Sequence, residues 1–234
     1  MKNKKIIAVI PARGNSKAIP KKNIYKILGK PLIYYTINEA KKSKFITDIV
    51  LSTDSKKIKK IAEKIGAPAP FLRPKNLSTD FVPSLPVVKH AVNFMEKIKG
   101  EKYDYILMLQ PTSPLRKFKD IDDSIKKIIR KKCDSVTSVV DVGGNHPFRM
   151  KIVKKGRLVN FIEKGFEDMR PRQKLKKIFI RNGSIYLSTR ETVMKRNTLV
   201  GKINLAHIMP KERSVNIDTY IDLLSAEYYL KKLK

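Results

Sequence analysis

The stretch Ile6-Ile7-Ala8-Val9-Ile10-Pro11-Ala12-Arg13-Gly14-Asn15-Ser16-Lys17-Ala18-Ile19-Pro20-Lys21-Lys22-Asn23 decides how this chain is read. Ile6 to Ile10 is an apolar run without alternation, closed by Pro11, which predicts a strand covered on both faces. The residues from Pro11 to Tyr25 are polar and basic and include a glycine. A loop of that kind, directly after a buried strand, falls at the carboxyl edge of an open α/β sheet, where such folds bind ligands. Backbone amides around Gly14 can cradle phosphate while Arg13, Lys17 and Lys22 neutralise it. Taken alone, the loop favours phosphate binding over the alternative of a basic turn. Its glycine spacing fits neither a Walker P-loop nor a dinucleotide fingerprint.

Outward from this stretch the pattern alternates. Pro31 opens a helix to about Lys42, Asp48 to Thr53 predicts a second strand, and Ser55 is placed to cap a helix with Ile58, Ile61, Ala62 and Ile65 on one face. A Pro-rich loop, 67–86, leads to a helix marked by Val87, Val88, Ala91, Val92 and Met95. Tyr105 to Leu109 is the next strand, followed by a helix with Ile121, Ile125, Ile128 and Ile129 and a strand from Ser135 to Val142. This alternation predicts an α/β fold with a doubly wound, mostly parallel sheet. From Gly143 to Lys177 it breaks into short β pieces, read as a β-rich excursion serving dimerisation or as a lid. Ile185 to Ser188 and Asn204 to Ile208 return to the sheet, and Asp218 to Leu233 predicts a terminal helix. The 234 residues suit one domain with that appendage.

Two further segments carry candidate chemistry. Gln110-Pro111-Thr112-Ser113-Pro114-Leu115-Arg116 follows a strand and is read either as a substrate-positioning loop or as a Pro-rich turn. In Ser214-Val215-Asn216-Ile217-Asp218-Thr219, residues 216 and 218 project to one side if the chain is extended, so their oxygens can converge on a hard cation. Asp218 is also readable as a helix N-cap.

Taken together these segments resemble the acylneuraminate cytidylyltransferase family, from Ile6 to Glu227. The markers are the Pro-Ala-Arg-Gly loop with Ile-Pro-Lys-Lys-Asn, Leu72-Arg73-Pro74 with Leu77, Asp80 and Ser84, then Leu109 to Arg116, Arg181-Asn182-Gly183-Ser184-Ile185-Tyr186, and Asn216 to Thr219. The resemblance implies a nucleotide-diphospho-sugar transferase-like fold and transfer of CMP from CTP to a nonulosonic acid of the sialic acid type, with pyrophosphate released. It implies Arg13, Lys17 and Lys22 as the triphosphate grip, with Gly14 and Ser16 in the same loop. Asn23 and Arg73 become cytosine and ribose readers, and Ser84 a further nucleotide contact. Gln110, Arg172 and Tyr186 take the acidic nine-carbon keto sugar. Asp218, with Asn216 where the family carries the first aspartate of an Asp-x-Asp, is the site for Mg²⁺ or another divalent cation such as Mn²⁺. Arg13, Lys17, Lys22 and Asp218 are the catalytic set. Asn15 stands where a second glycine is usual. The alternatives are a legionaminic, pseudaminic or Kdo-type acceptor, or a noncatalytic basic binder of nucleotide or nucleic acid.

Composition constrains the partners. Apolar residues make up 41% of the chain, enough for a packed core. The 52 basic against 21 acidic side chains give a net charge of +31. The lysines are scattered over polar helix faces without interleaved aromatics, which predicts a solvated basic surface rather than a nucleic-acid footprint. The lone Cys133 cannot form an internal disulfide, and no Cys/His spacing suits zinc. The apolar start ends at Pro11, short of a signal peptide, and no stretch reaches membrane-span length. The expectation is a cytoplasmic homodimer with no membrane and no nucleic-acid partner. His90, His146, His207 and Cys133 are read as structural.

Overall fold

The computed structural model describes residues 4–162 and 171–233. In chain order the strands are β1 (Ile6–Pro11), β2 (Lys26–Ile27), β3 (Lys30–Pro31), β4 (Asp48–Ser52), β5 (Tyr105–Met108), β6 (Ser135–Asp141), β7 (Lys151–Lys154), β8 (Arg157–Asn160), β9 (Phe179–Thr189) and β10 (Asn204–Ile208). The helices are α1 (Leu32–Lys42), α2 (Lys56–Ile65), α3 (Ser84–Lys99), α4 (Phe118–Lys131), α5 (Arg190–Met194) and α6 (Tyr220–Lys232).

Six strands form one sheet in the order β10-β6-β9-β5-β1-β4. Along β1, Ile6, Ala8 and Ile10 join a buried cluster with Ile33 and Ile37 of α1, Ile58 of α2 and Ile121 of α4. Ile7 and Val9 join the opposite cluster with Val88, Ala91 and Val92 of α3. Successive side chains on a strand alternate faces, so helices on both sides require the unbroken apolar run that the sequence shows. A third cluster seats α6, through Leu223, Ala226 and Leu230, against Ile19, Ile27, Leu32, Leu115 and Ile217.

The sheet is mostly parallel, as expected: β1 pairs in parallel with β4 and β5, and β6 with β10. β9 is the reversed strand, antiparallel to both β5 and β6. It is also longer than the apolar pattern from Ile185 to Ser188 indicates, because Phe179 to Arg181 pair with β6 past a register shift between Thr137 and Val139, and the polar Asn182-Gly183-Ser184 fall at that irregularity.

Two helix starts test the capping expectations. The Ser55 side chain accepts from the Ile58 amide at the head of α2, as expected. Asp218 does not cap the terminal helix: Thr219 does, accepting from the Asp222 amide, while the Asp222 carboxylate accepts from the amides of Asp218 and Thr219. This reciprocal capping box satisfies donors of the first turn without using the Asp218 carboxylate.

Between β6 and β9 the chain leaves the sheet. β7 and β8 form a separate antiparallel hairpin whose turn residues, Lys155 and Gly156, have φ of 49° and 77°, the two positive values of a type I′ turn. Part of the excursion, residues 163–170, lies outside the described residues. Among the described residues no helix is long and apolar enough to cross a membrane.

Candidate nucleotide site

The loops after β1, β4 and β5 meet at one edge of the sheet. The Ala12 amide donates to the Ser52 carbonyl, the Leu109 amide to the Val9 carbonyl, and the Ile217 amide to the Thr112 carbonyl at 2.8 Å. That last bond draws the segment before α6 to the carboxyl edge. Ile217 is fully buried there, while Asp218 beside it is exposed and Asn216 half-buried.

A cleft of ≈ 280 Å³ opens between these loops, and Arg13, Ser16, Lys22, Asn23, Arg73 and Ser84 line it, with Gln110 on the opposite wall. The structure thus brings together most of the predicted nucleotide-side residues. Lys17 stands at the rim, where its ammonium lies 3.1 Å from Asp80 Oδ2. Arg13 Nη1 meets the other oxygen of the same carboxylate at 2.5 Å. Asp80 is held below the usual carboxylate range, chiefly by the hydrogen bond from Lys17, with the Arg13 charge adding to it. Lys22 bonds the Ile217 carbonyl at 2.8 Å and Asp218 Oδ1 at 3.1 Å.

Several side chains act on the loops themselves. Gly14 donates its amide to Asp54 Oδ1 at 2.7 Å, so this N–H is committed to a carboxylate at the end of β4. A Cβ on Gly14 would sit 3.1 Å from that of Ser55, a close approach that favours glycine. Asn23 Nδ2 donates to the Arg13 carbonyl at 2.9 Å and closes the loop from within. Arg73 is buried: Nε donates to Ser52 Oγ at 3.1 Å, Nη2 to the Ser52 carbonyl at 2.5 Å, and Nη1 reaches the Leu77 carbonyl at 3.5 Å. Its pKa is lowered by burial, and the nearby Arg13 charge acts in the same direction. Nη1, the least committed nitrogen, is the part of Arg73 left for a ligand.

On the acceptor side, Gly183 of β9 has φ +76°, and a Cβ there would lie 2.6 Å from Gln110 Oε1, 3.3 Å from Asn216 Oδ1 and 3.5 Å from Ser113 Oγ. Three side-chain oxygens therefore gather around one backbone position. Tyr186, two strand steps from Ser184, is half-buried and packs with the cluster on the α3 face. Arg172 falls in the short turn Arg172–Lys174; its side chain lies outside the described residues.

The sequence reading passed over four residues. Asp54 follows β4 at the ligand-binding edge, a position that itself marks it. Asp80 had been noted as a marker with no role attached. Asp222 stands three residues after Thr219, the spacing of a capping box. Arg116, 1% exposed, donates to the carbonyls of Ser184 (2.8 Å) and Gln110 (3.3 Å) and to Thr36 Oγ1 (2.8 Å). Burial pushes its pKa down to about 10. It closes the Gln110–Arg116 segment that the sequence marks, but nothing in that segment shows that its side chain is buried.

Solved structures share this architecture. A CMP:2-keto-3-deoxy-manno-octonic acid synthetase complexed with CTP superposes with a TM-score of 0.70 at 15% identity, covering 98% of this chain and 100% of its own. A 4-diphosphocytidyl-2C-methyl-D-erythritol synthase gives a TM-score of 0.70 at 11% identity, covering 97% of this chain and 99% of its own. At these identities the likeness speaks for the fold, which is that of a nucleotidyltransferase. The model of the cytidylyltransferase family matches residues 7–200, and the chain belongs to that family. It is 31% identical to the pseudaminic acid cytidylyltransferase of Campylobacter jejuni, over 99% of this chain and 97% of that one. It is 34% identical to the CMP-N,N'-diacetyllegionaminic acid synthase of Legionella pneumophila, over 93% of each. The N-acylneuraminate cytidylyltransferase of Escherichia coli O18:K1:H7 is 32% identical over 93% of this chain, which spans only 50% of that protein.

Proposed function

We propose that this cytidylyltransferase transfers CMP from CTP to a nonulosonic acid, forming a CMP-sugar and releasing pyrophosphate. The observation that carries the reading is the convergence of Arg13, Lys17 and Lys22 on the cleft at the ends of β1 and β5. Three cations from one loop suit a triphosphate, and the relatives above act on acids of this class. Those named for pseudaminic and legionaminic acids match this chain as well as the one named for N-acylneuraminate. The acceptor class is therefore nonulosonic acid, wider than the sialic acid expectation.

The anomeric hydroxyl of the sugar attacks the α-phosphorus in line and pyrophosphate leaves, so the protein's work is positioning and charge stabilisation. Arg13, Lys17 and Lys22 offset charge on the β- and γ-phosphates as it develops. Ser84, the first residue of α3, and Nη1 of Arg73 face the nucleoside, while Asn23 and Asp54 hold the loop in shape. Gln110, Tyr186 and Arg172 serve the sugar.

The donors near Asp218 fit Mg²⁺. Asp218 offers one exposed carboxylate, and among the described residues no three His, Cys, Asp or Glu side chains group as a protein-only metal site. Magnesium is commonly held by one or two carboxylates and completed by phosphate oxygens and water. Asn216 donates Nδ2 to Asp218 Oδ2 at 2.9 Å, and its Oδ1 is buried with no partner. Turning the amide over presents its oxygen beside the carboxylate and turns its N–H groups toward the oxygens around Gly183. Bound there, the cation supplies charge neutralisation to the phosphates.

A homodimer belongs to the same proposal. The β7–β8 hairpin exposes Val153 (69%) and Leu158 (72%), with Phe161 at 56% just beyond it. Four-residue strands have no core of their own, and a second copy of the chain is the surface that covers them.

The test is pyrophosphate release with CTP and, in turn, N-acetylneuraminic, legionaminic and pseudaminic acids. Release with at least one acid, dependent on CTP, is expected. No release with any of them, or equal release with UTP, overturns the reading.

A further inference from the structure

Asp80 satisfies both rim cations at once: one carboxylate spans Arg13 Nη1 at 2.5 Å and Lys17 Nζ at 3.1 Å. The loop that carries it lies between the turn Lys75–Leu77 and α3, so it belongs to the nucleotide wall of the cleft and not to the phosphate loop. Its neighbour Phe81 is 90% exposed, and the Lys17 ammonium lies 5.6 Å from that ring. A carboxylate in this position does what a phosphate oxygen does, accepting from the same guanidinium and ammonium. The two anions cannot both occupy the bidentate face of Arg13 without like-charge repulsion.

We infer that Asp80 is an exchange ligand for the phosphate grip: it neutralises Arg13 and Lys17 when the cleft is empty, yields to the triphosphate, and returns to help displace pyrophosphate after transfer. The inference rests on the nucleotide reading of the cleft. On a chain of charge +31, phosphate-bearing molecules of many kinds are drawn in, and long-range attraction does not discriminate among them. A fixed competing anion lowers affinity for a bare phosphate group. CTP recovers that loss through contacts to its nucleoside, which pyrophosphate lacks.

The experiment measures binding of inorganic pyrophosphate by calorimetry, and its inhibition of turnover against CTP, for the wild type, Asp80→Asn and Asp80→Ala. Asp123→Asn removes an equal charge from an exposed position on α4 and controls for net charge. Both Asp80 variants are expected to bind pyrophosphate about three- to tenfold more tightly, the scale of one or two part-exposed ion pairs, and Asp123→Asn to leave binding unchanged. Unchanged or weaker binding in the Asp80 variants overturns the inference, since a carboxylate that only braced Arg13 would weaken the site when removed. Equal tightening in Asp123→Asn overturns it as well. CTP binding to the wild type is measured alongside: its absence counts against the nucleotide reading, whereas CTP binding without tightening in the Asp80 variants removes the exchange role alone.

Discussion

Lys22 and Asp218, 196 positions apart, meet at 3.1 Å because the Ile217 amide is tied to the Thr112 carbonyl and Lys22 also holds the Ile217 carbonyl. The Lys22 side chain is 13% exposed and that of Asp218 68%. The cation is therefore set into the cleft wall and its partner stands in solvent. In the proposed reading a phosphate in the cleft would meet a lysine already aimed, and the exposed carboxylate, held by Lys22 and Asn216, would be the one offered to a metal. Lys22→Ala is expected to lower kcat by about 100-fold, since the charge acts mainly as the leaving group develops, with far-UV circular dichroism and melting temperature close to wild type. Near-normal turnover in the folded variant would remove Lys22 from the grip.

The pair Asn216 and Asp218 makes a separate test. An amide oxygen ligates Mg²⁺ without contributing full charge, and the affinity of hard cations follows ligand charge. Asn216→Asp is expected to lower the Mg²⁺ concentration for half-maximal rate, and Asp218→Ala to abolish turnover. Titrations with free metal held above CTP, alongside Mn²⁺ binding followed by electron paramagnetic resonance, check both. An unchanged Asn216→Asp titration together with an active Asp218→Ala would place the metal elsewhere.

Arg73 joins packing to recognition. Its bonds to Ser52 tie the Pro-rich wall to the end of β4, and losing hydrogen bonds from a buried charged donor costs about 1.5–3 kcal/mol. Arg73→Ala should therefore melt at a lower temperature, raise the KM for CTP and discriminate less against UTP. Thermal denaturation with steady-state kinetics on both nucleotides separates these effects. Lower stability with an unchanged CTP to UTP ratio would make Arg73 a structural anchor alone.

Acid should act through Asp120. Burial works to raise its pKa, but hydrogen bonds from His207 and Arg213 outweigh this and hold it below its ordinary value. A carboxyl depressed in the folded state stabilises the fold above its unfolded pKa of about 3.9 and loses that contribution as pH falls through the folded value. Asp120→Asn is expected to lower stability at neutral pH and to flatten the decline of melting temperature below about pH 4. An equally steep acid limb in the variant would assign it to other groups. Because Arg213 precedes the Ser214–Asp218 segment, the same variant should also raise the Mg²⁺ requirement.

Association is tested on the hairpin. Val153→Glu with Leu158→Glu places charge on the exposed apolar faces of β7 and β8 and should convert a dimer into monomers at micromolar concentration in sedimentation velocity. A wild-type monomer under those conditions would reject the dimer.

Much of this was legible in the sequence because it followed from one strand. Helices on both faces of β1 demand an unbroken apolar run, so Ile6 to Ile10 announced the architecture and placed the basic loop at the ligand edge. β9 was legible only in its second half: Asn182 is polar yet buried, bonded to Ser138 and Ser214, and polarity in a strand hides it from a hydrophobic pattern. The roles of Asp54 and Asp80, though not their positions, were hidden for another reason. Acidic residues in loops are common, and only the folded chain shows that one holds the Gly14 amide and the other two cations. The spacing at Asp218 admitted a cap or a ligand, and the neighbouring Thr219–Asp222 box takes the first of these roles away from it.

Gly183 limits what can be built at this edge of the sheet. The space a single methyl would need there is taken by the Gln110 side-chain oxygen and crowded by that of Asn216, with Ser113 Oγ at contact distance, so the strand, the loop after β5 and the segment before α6 meet at one point. Gln110 and Asn216 are therefore free to drift only in ways that respect an atom that is absent. Any side chain added at residue 183 would have to push the Gln110 amide aside and hold a φ of +76° that side chains rarely adopt, so this one position fixes how closely the three stretches can approach.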